Sequence, residues 1–371
     1  MNYLRSKKKN ISLASIDFES NAVDYALFNK ENQGKTIDEL KEELNKYSYN
    51  NYLAILENGT NKMIGIVGFK NKIESNRRAN IDLIFSDELE YEKKITYGKE
   101  ALDGVSDYAY YSLNLYNLLC EETNLKLADM YKDAGFEYIG ARHNTILEDN
   151  KLNDLYFFQK MPKKVSTHNG LEIMSSSIIT PNKLSIDALP QMSINGAVTL
   201  VKPSALDESD IEHTKIMLAN SFNNPYDAAC MGESKVIYND FRLNKKFDDK
   251  TGFDYFILDE SGKPIGYVDR LHLNNKNLST DVEINIFDSE KRGKGYGKAA
   301  YEAYVDVLRK AGYVSIGSVV FGFNNPSMNL HRSTGFNEYA LRDESYYALG
   351  KLQDMHYYEA DTSKLEKRSK K

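Results

Sequence analysis

In the second half of the chain the spacing of apolar residues changes several times, and each change marks an element. Ala197-Val-Thr-Leu-Val201 is a short β-rich run, and Asp210 to Asn220 spaces its apolar residues as an amphipathic helix does. Phe253 to Asp259, Pro264 to Leu273 and Thr280 to Phe287 read as three strands, the first two joined by a turn at Ser261-Gly262, so the three form an antiparallel meander. Gly297 to Ala311 returns to helical spacing and stops at Gly312, a natural helix C-terminal signal. A strand at Val314 to Phe321, a helix at Pro326 to Ser333 and two closing strands complete the order β, helices, βββ, α, β, α, ββ.

The first half repeats part of this text. Asn124-Leu-Lys-Leu-Ala-Asp-Met-Tyr131-Lys-Asp-Ala-Gly135-Phe136 parallels Asn324-Asn-Pro-Ser-Met-Asn-Leu-His331-Arg-Ser-Thr-Gly335-Phe336, and each is followed by a strand-like run. Upstream, Tyr97-Gly98-Lys99-Glu100-Ala101 opens a helical pattern as Tyr296-Gly297-Lys298-Ala299-Ala300 does. Residues 163–196 hold Ser, Asn and Pro clusters without sustained periodicity and read as a connector, with a short strand at Leu171 to Met174 as an option. The division expected is therefore 1–162, a connector at 163–196, a second unit at 197–360 and a basic tail at 361–371.

Composition narrows the classes. A chain of 371 residues exceeds the size at which one hydrophobic core stops growing, and 41% hydrophobic with 27% charged residues is an ordinary globular balance. No apolar run approaches the roughly 20 residues that span a bilayer, and MNYLRSKKKN lacks a signal-peptide core, so a cytoplasmic protein without membrane contact is expected. The formal charge of −6 argues against binding to nucleic acid and favours a cationic partner. Cys120 and Cys230 stand far apart, and the six histidines show no ligand spacing with carboxylates or thiols, so no metal site is expected.

The candidate chemistry lies between the third meander strand and the helix after it. Arg292-Gly293-Lys294-Gly295-Tyr296-Gly297 sits where free backbone N–H groups and the positive end of a helix dipole can hold a pyrophosphate. A dinucleotide-binding loop would need a parallel βαβ unit, whereas this loop follows an antiparallel meander. On the strand, Asp281, Glu283 and Asn285 share one face, with Val282, Ile284 and Ile286 on the other.

The Arg-x-x-Gly-x-Gly loop and the Asn324-x-x-Ser327-x-x-Leu330-His331-x-x-x-Gly335-Phe336 pattern resemble the GNAT acyltransferase superfamily over nearly the whole second half. The first half resembles the same fold. The chain is thus similar to tandem GNAT proteins, an arrangement known among mycothiol synthases and the self-resistance N-acetyltransferases of antibiotic producers (zwittermicin and paenilamicin type). The resemblance implies an α+β, three-layer αβα architecture written twice, each a mixed, mainly antiparallel sheet flanked by helices.

It also implies acetyl-CoA as donor substrate. Arg292, Gly293, Lys294, Gly295, Tyr296, Gly297 and Lys298 would take the pyrophosphate, Asn285, Ile286 and Phe287 would line the pantetheine arm, Asn324 would contact a pantetheine amide, and Ser327 would let its helix approach. Glu283 and Asp281 are candidates for the base that takes a proton from the acceptor amine, against the alternative that they merely form the solvated face of a strand. His331 stands where such enzymes place a tyrosine acid, and either donates a proton near the sulfur or packs there without transfer. In the first half Lys93 and Thr96 replace Arg292 and Gly295, so a donor site is not expected there; that half is a scaffold walling the acceptor groove.

The implied activity is acetylation of a primary amine on a cationic small molecule, including an amine-bearing antibiotic, by a monomeric enzyme. Residues 221–250 are expected to shape the acceptor pocket. Acetylation of protein or peptide amines, and an acetyl-CoA sensor without transfer, are the alternatives.

Overall fold

The computed structural model describes residues 4–26, 28, 32, 34–48, 52–162, 180–232, 240–250 and 252–360. The optional strand at 171–174 lies outside them. Two compact units form: residues 1–141 with 156–174, and residues 142–155 with 175–371.

The first unit contains β1 (Leu4–Lys7), β2 (Ile11–Ser15), α1 (Phe18–Tyr25), α2 (Ile37–Ser48), β3 (Leu53–Glu57), β4 (Met63–Ile73), β5 (Arg78–Phe85), α3 (Tyr91–Ser112), β6 (Asn117–Glu122) and α4 (Ala128–Asp133). It closes with the hairpin β7 (Glu137–Glu148) and β8 (Lys151–Lys160), whose tip is grouped with the second unit. Strands run in the order β1-β2-β3-β4-β5-β6-β8-β7. Their pairings are antiparallel up to β4–β5, then parallel at β5–β6 and antiparallel again at β6–β8. One sheet face packs Leu102, Val105 and Ala109 of α3 with Met130 of α4, and the other packs Ala22, Tyr25, Leu40 and Leu44 of α1 and α2. Helices thus cover both faces of this mixed sheet.

The second unit contains β9 (Met192–Asn195), β10 (Val198–Val201), α5 (Glu208–Asn223), α6 (Pro225–Cys230), α7 (Asp240–Lys245), β11 (Tyr255–Leu258), β12 (Pro264–Asn274), β13 (Ser279–Ile286), α8 (Tyr296–Ala311), β14 (Ser315–Phe321), α9 (Asn325–Ser333), β15 (Phe336–Ala348) and β16 (Lys351–Ala360). The order is β15-β16-β14-β13-β12-β11-β10-β9, with β13–β14 the parallel pair. Strand β9 falls inside the stretch read as connector: its four residues pair with β10 across a turn at Gly196, where φ is +58°, and a run this short shows no period. Tyr301, Tyr304 and Leu308 of α8 and Met328 of α9 fill one face of the sheet; Leu218 and Phe222 of α5 and Leu243 of α7 fill the other.

Local chemistry accounts for the helix ends. Asp207 caps α5 by accepting from the Asp210 N–H at 2.8 Å, and Gly312 closes α8 at φ +114°, a conformation that suits glycine. Asn144 and Glu344, 200 positions apart, both adopt positive φ, and their N–H groups donate to Asp154 and Asp354. In the first unit the helix starts at Tyr91, well before Tyr97-Gly98, because Lys93-Lys-Ile-Thr96 contains no glycine to interrupt it.

Candidate functional site

The parallel strands β13 and β14 are paired only at Ser279↔Ser315, Thr280↔Ile316 and Asp281↔Gly317. Just past the last pair, the Ser318 hydroxyl donates to the Val282 carbonyl at 3.2 Å, and from Glu283 and Val319 onward the facing edges leave the ladder. An opening with backbone donors and acceptors on both sides follows from this early stop.

The glycine loop lies beyond the end of β13. Gly293 and Gly295 adopt φ of +75° and +92°, and a Cβ at either would meet nothing within 4 Å. The glycines are there for backbone conformation, and the loop surface is open. Gly295 is the N-cap of α8 and gives no side-chain cap, so the N–H groups of Tyr296, Gly297 and Lys298 point out of the helix start. Lys294 and Lys298 are exposed. A pyrophosphate fits this donor set: open backbone N–H groups, a helix dipole and two exposed cations.

Arg292 is committed elsewhere. Its Nη1 and Nη2 donate to Asp227 at 3.0 and 2.9 Å, and its Nε donates to the Ile286 carbonyl at 2.7 Å. The fork therefore ties the loop to α6 and to the end of β13, a positioning part instead of a free phosphate clamp. Tyr296 donates to Glu260, and its ring is packed by Lys291. Gly297 lies against Ile286, to which a Cβ would stand 3.7 Å away. Phe287 is buried in the α5-side core, so only its backbone is available to a ligand.

The three catalytic candidates separate sharply. Glu283 faces the α5 side, where its carboxylate accepts from the Tyr267 hydroxyl at 2.7 Å; the same hydroxyl lies 3.3 Å from Met231 Sδ. Asn285, next on that face, reaches Ser221 and Met231.

Asp281, two residues earlier, is held in an ion pair. Arg142 Nη1 donates to it at 2.7 Å, His272 Nδ1 lies 3.0 Å away, and Arg142 also donates to the Thr280 carbonyl and the Ser315 hydroxyl. Burial raises the carboxyl's proton affinity, but the Arg142 charge and His272 outweigh it and hold Asp281 below the usual carboxylate range. It clamps β13 to β14 at the apex of the opening.

His331 has both ring nitrogens occupied by protein partners. It is buried, with Nδ1 2.7 Å from the Ser327 carbonyl and Nε2 2.8 Å from the Tyr301 hydroxyl. A carbonyl only accepts, so the ring's one N–H is on Nδ1 and Nε2 receives the Tyr301 proton. Burial pushes its pKa down to about 4, with the Ser327 bond opposing. The ring sits among Tyr301, Phe336 and Tyr358 as part of the core.

Asn324 caps α9, its Oδ1 accepting from the Ser327 N–H at 3.2 Å. That makes the pattern a helix start as much as a ligand contact.

The acidic residue that the sequence reading missed is Asp269 on β12. It pairs directly with Glu283, on the same face, and its Oδ1 accepts from the backbone N–H groups of Asp254 and Arg270. Burial, then the charges of Asp254 and Glu283, push its carboxyl up to about 7. The register of β12 on β13 shifts between Leu271 and Asn274, so counting back from the turn misaligns the two strands by one residue and hides the pair.

In the first unit the counterpart of the loop is wound into α3. Thr96 donates to the Glu92 carbonyl one turn back, and Glu90 and Glu92 bring negative charge to that helix start. The counterpart of His331, Tyr131, is buried with its hydroxyl on Glu122 at 3.0 Å.

Residues 218–336 match the model of the acetyltransferase (GNAT) family. The matched segment runs from within α5 to the first residue of β15 and so contains the glycine loop, β13, β14 and α9. Among curated proteins the chain is similar to the SPbeta prophage-derived uncharacterized N-acetyltransferase YokL of Bacillus subtilis (strain 168), 28% identical over 92 residues, which are 24% of this chain and 50% of that protein. The match thus spans half of that relative's length. Among solved structures, spermidine N-acetyltransferase from Vibrio cholerae in complex with CoA and spermine aligns with 46% of this chain and 99% of its own, at 22% identity and a TM-score of 0.39. A GNAT-family acetyltransferase from Bacillus anthracis aligns with 44% and 100%, at 14% identity and a TM-score of 0.35.

Proposed function

We propose that this protein is an acetyl-CoA-dependent N-acetyltransferase in which the second unit carries the reaction and acetylates a primary amine of a cationic small molecule. The observation that carries the reading is the alignment of three parts within one unit: the open left-handed glycine turn, the bare start of α8, and the gap between β13 and β14 flanked by Glu283. The turn and helix start would hold the donor's pyrophosphate, with Lys294 and Lys298 as counter-ions. Glu283 would take a proton from the acceptor ammonium, so that the neutral nitrogen can attack. Acetylation removes the acceptor's positive charge, which suits self-resistance against an amine-bearing antibiotic and is the finest version of the proposal.

The first unit is proposed to be a second GNAT-type fold, in tandem with the first, that has lost its donor loop and serves as scaffold. A cytoplasmic monomer completes the picture. The sensor reading draws on one observation, that Nε2 of the buried His331 is engaged by the Tyr301 hydroxyl. A thiol-release assay with acetyl-CoA against polyamines, amine-bearing antibiotics and peptides separates the readings. Acceptor-dependent release that falls about 10²–10⁴-fold in Glu283→Gln supports the enzyme. Tight acetyl-CoA binding with no release on any amine refutes transfer and leaves the sensor.

A further inference from the structure

Glu283 has a carboxyl neighbour that the proposed reaction has not yet used. Asp269 and Glu283 form a cross-strand pair on one face of the β12–β13 ladder, where side chains directly opposite are in reach of one another. Two backbone N–H groups, at 3.2 and 3.0 Å, fix one oxygen of Asp269, so the carboxylate cannot swing away from its partner. The Tyr267 hydroxyl fixes Glu283 in turn. Arg270 and Lys202 are turned to Asp254: Arg270 grips it at 2.5 and 2.8 Å, and Lys202 lies 3.9 Å from it.

We propose that Asp269 is a positioning residue for proton transfer, acting through Glu283 so that the two carboxyls share a single proton taken from the acceptor ammonium. This rests on the acetyltransferase reading. When both are ionised, the charge of Asp269 acts on Glu283 as that of Glu283 acts on Asp269, each raising the other's affinity for a proton. One N–H bond of the ammonium breaks as an O–H bond forms on Glu283. The amine's electron pair then forms the C–N bond to the acetyl carbon, the C–S bond breaks with its electrons on sulfur, and a second nitrogen proton ends on the coenzyme A thiol. The proton held by the pair returns to solvent. The elevated proton affinity of Asp269 agrees with a coupled pair. The groups that bear on it are Asp254 beside β11, Glu283 on β13, Lys202 after β10, Arg270 beside it and Tyr304 on α8.

The test is the pH dependence of kcat/KM for the acceptor in wild type, Asp269→Asn and Asp269→Glu. In Asp269→Asn the acid limb should move down by about one pH unit or more and kcat should fall about tenfold, with KM for acetyl-CoA unchanged; Asp269→Glu should restore the limb. A kcat that falls equally at all pH values, with the limb in place, overturns the proposal and leaves Asp269 a packing residue. Carboxyl ¹³C NMR titration of the same proteins without donor reads the pair independently of turnover. Two linked steps at Glu283 and Asp269, reduced to a single step in Asp269→Asn, support the pair, and independent titrations refute it. Absence of turnover in wild type counts against the acetyltransferase reading, while the titration still decides the pair.

Discussion

Replacing Arg142 by methionine should cost the second unit about 3–5 kcal/mol, because it strips a buried carboxylate of its principal counter-ion. The side chains of Arg142 and Asp281 are only 11% and 15% exposed. Arg142 also donates to the Thr280 carbonyl and the Ser315 hydroxyl, so its loss frees both parallel strands at the point where their ladder ends. What remains for Asp281 is His272, which is 77% exposed. A unit of this size loses about 2–4 °C of melting temperature per kcal/mol, so the fall should be about 6–20 °C. Urea unfolding followed by tyrosine fluorescence suits a chain with 27 tyrosines and no tryptophan. Asp281→Leu alone should be similarly harmful, whereas Arg142→Met with Asp281→Leu should return to within about 1 kcal/mol of wild type, since no lone charge is left buried. The pH dependence has a definite sign. Asp281 is depressed in the folded protein, so its contribution is present above the ordinary carboxylate range and is lost as pH falls through and below it. Arg142→Met should flatten that acid limb. Single variants that each lose less than about 1 kcal/mol, with losses that add in the double variant, would refute the clamp.

His331, neutral and buried, should make the protein less stable as pH falls: its contribution is full above about 6.5 and is lost by about pH 4, amounting to about 3 kcal/mol. Urea midpoints measured across that range should show the extra slope in wild type and not in His331→Gln. Gly295→Thr forces a β-branched residue to φ +92°, which should cost about 1–3 kcal/mol of stability and raise the dissociation constant for acetyl-CoA at least tenfold by calorimetry. The same calorimetry on wild type should give one donor site per chain, because residues 93–96 are helical; a stoichiometry of two would refute the loss of the first site.

Much of the fold was legible because the second unit announces its elements: the meander, the Gly312 stop and the Asn324-Asn-Pro helix start each rest on local chemistry. What escaped was contact between distant positions. Nothing near Asp281 in sequence signals Arg142, 139 residues away, so alternation alone left Asp281 and Glu283 equivalent, and only tertiary partners separate them. His331 matched a motif position, but the motif could not say that Tyr301, 30 residues earlier, occupies Nε2 in the core. Arg292 matched too, and Asp227 claimed it. The wound loop of the first unit was half legible: the missing glycine was visible, its consequence for the helix start was not.

The gap between β13 and β14 is produced by where a hydrogen-bond ladder ends, and its apex is held by Arg142, Asp281 and the absent side chain of Gly317, where a Cβ would lie 2.5 Å from Asp281 Oδ1. Substitutions along its walls should therefore change what the opening admits without closing it, which separates the scaffold from the choice of ligand.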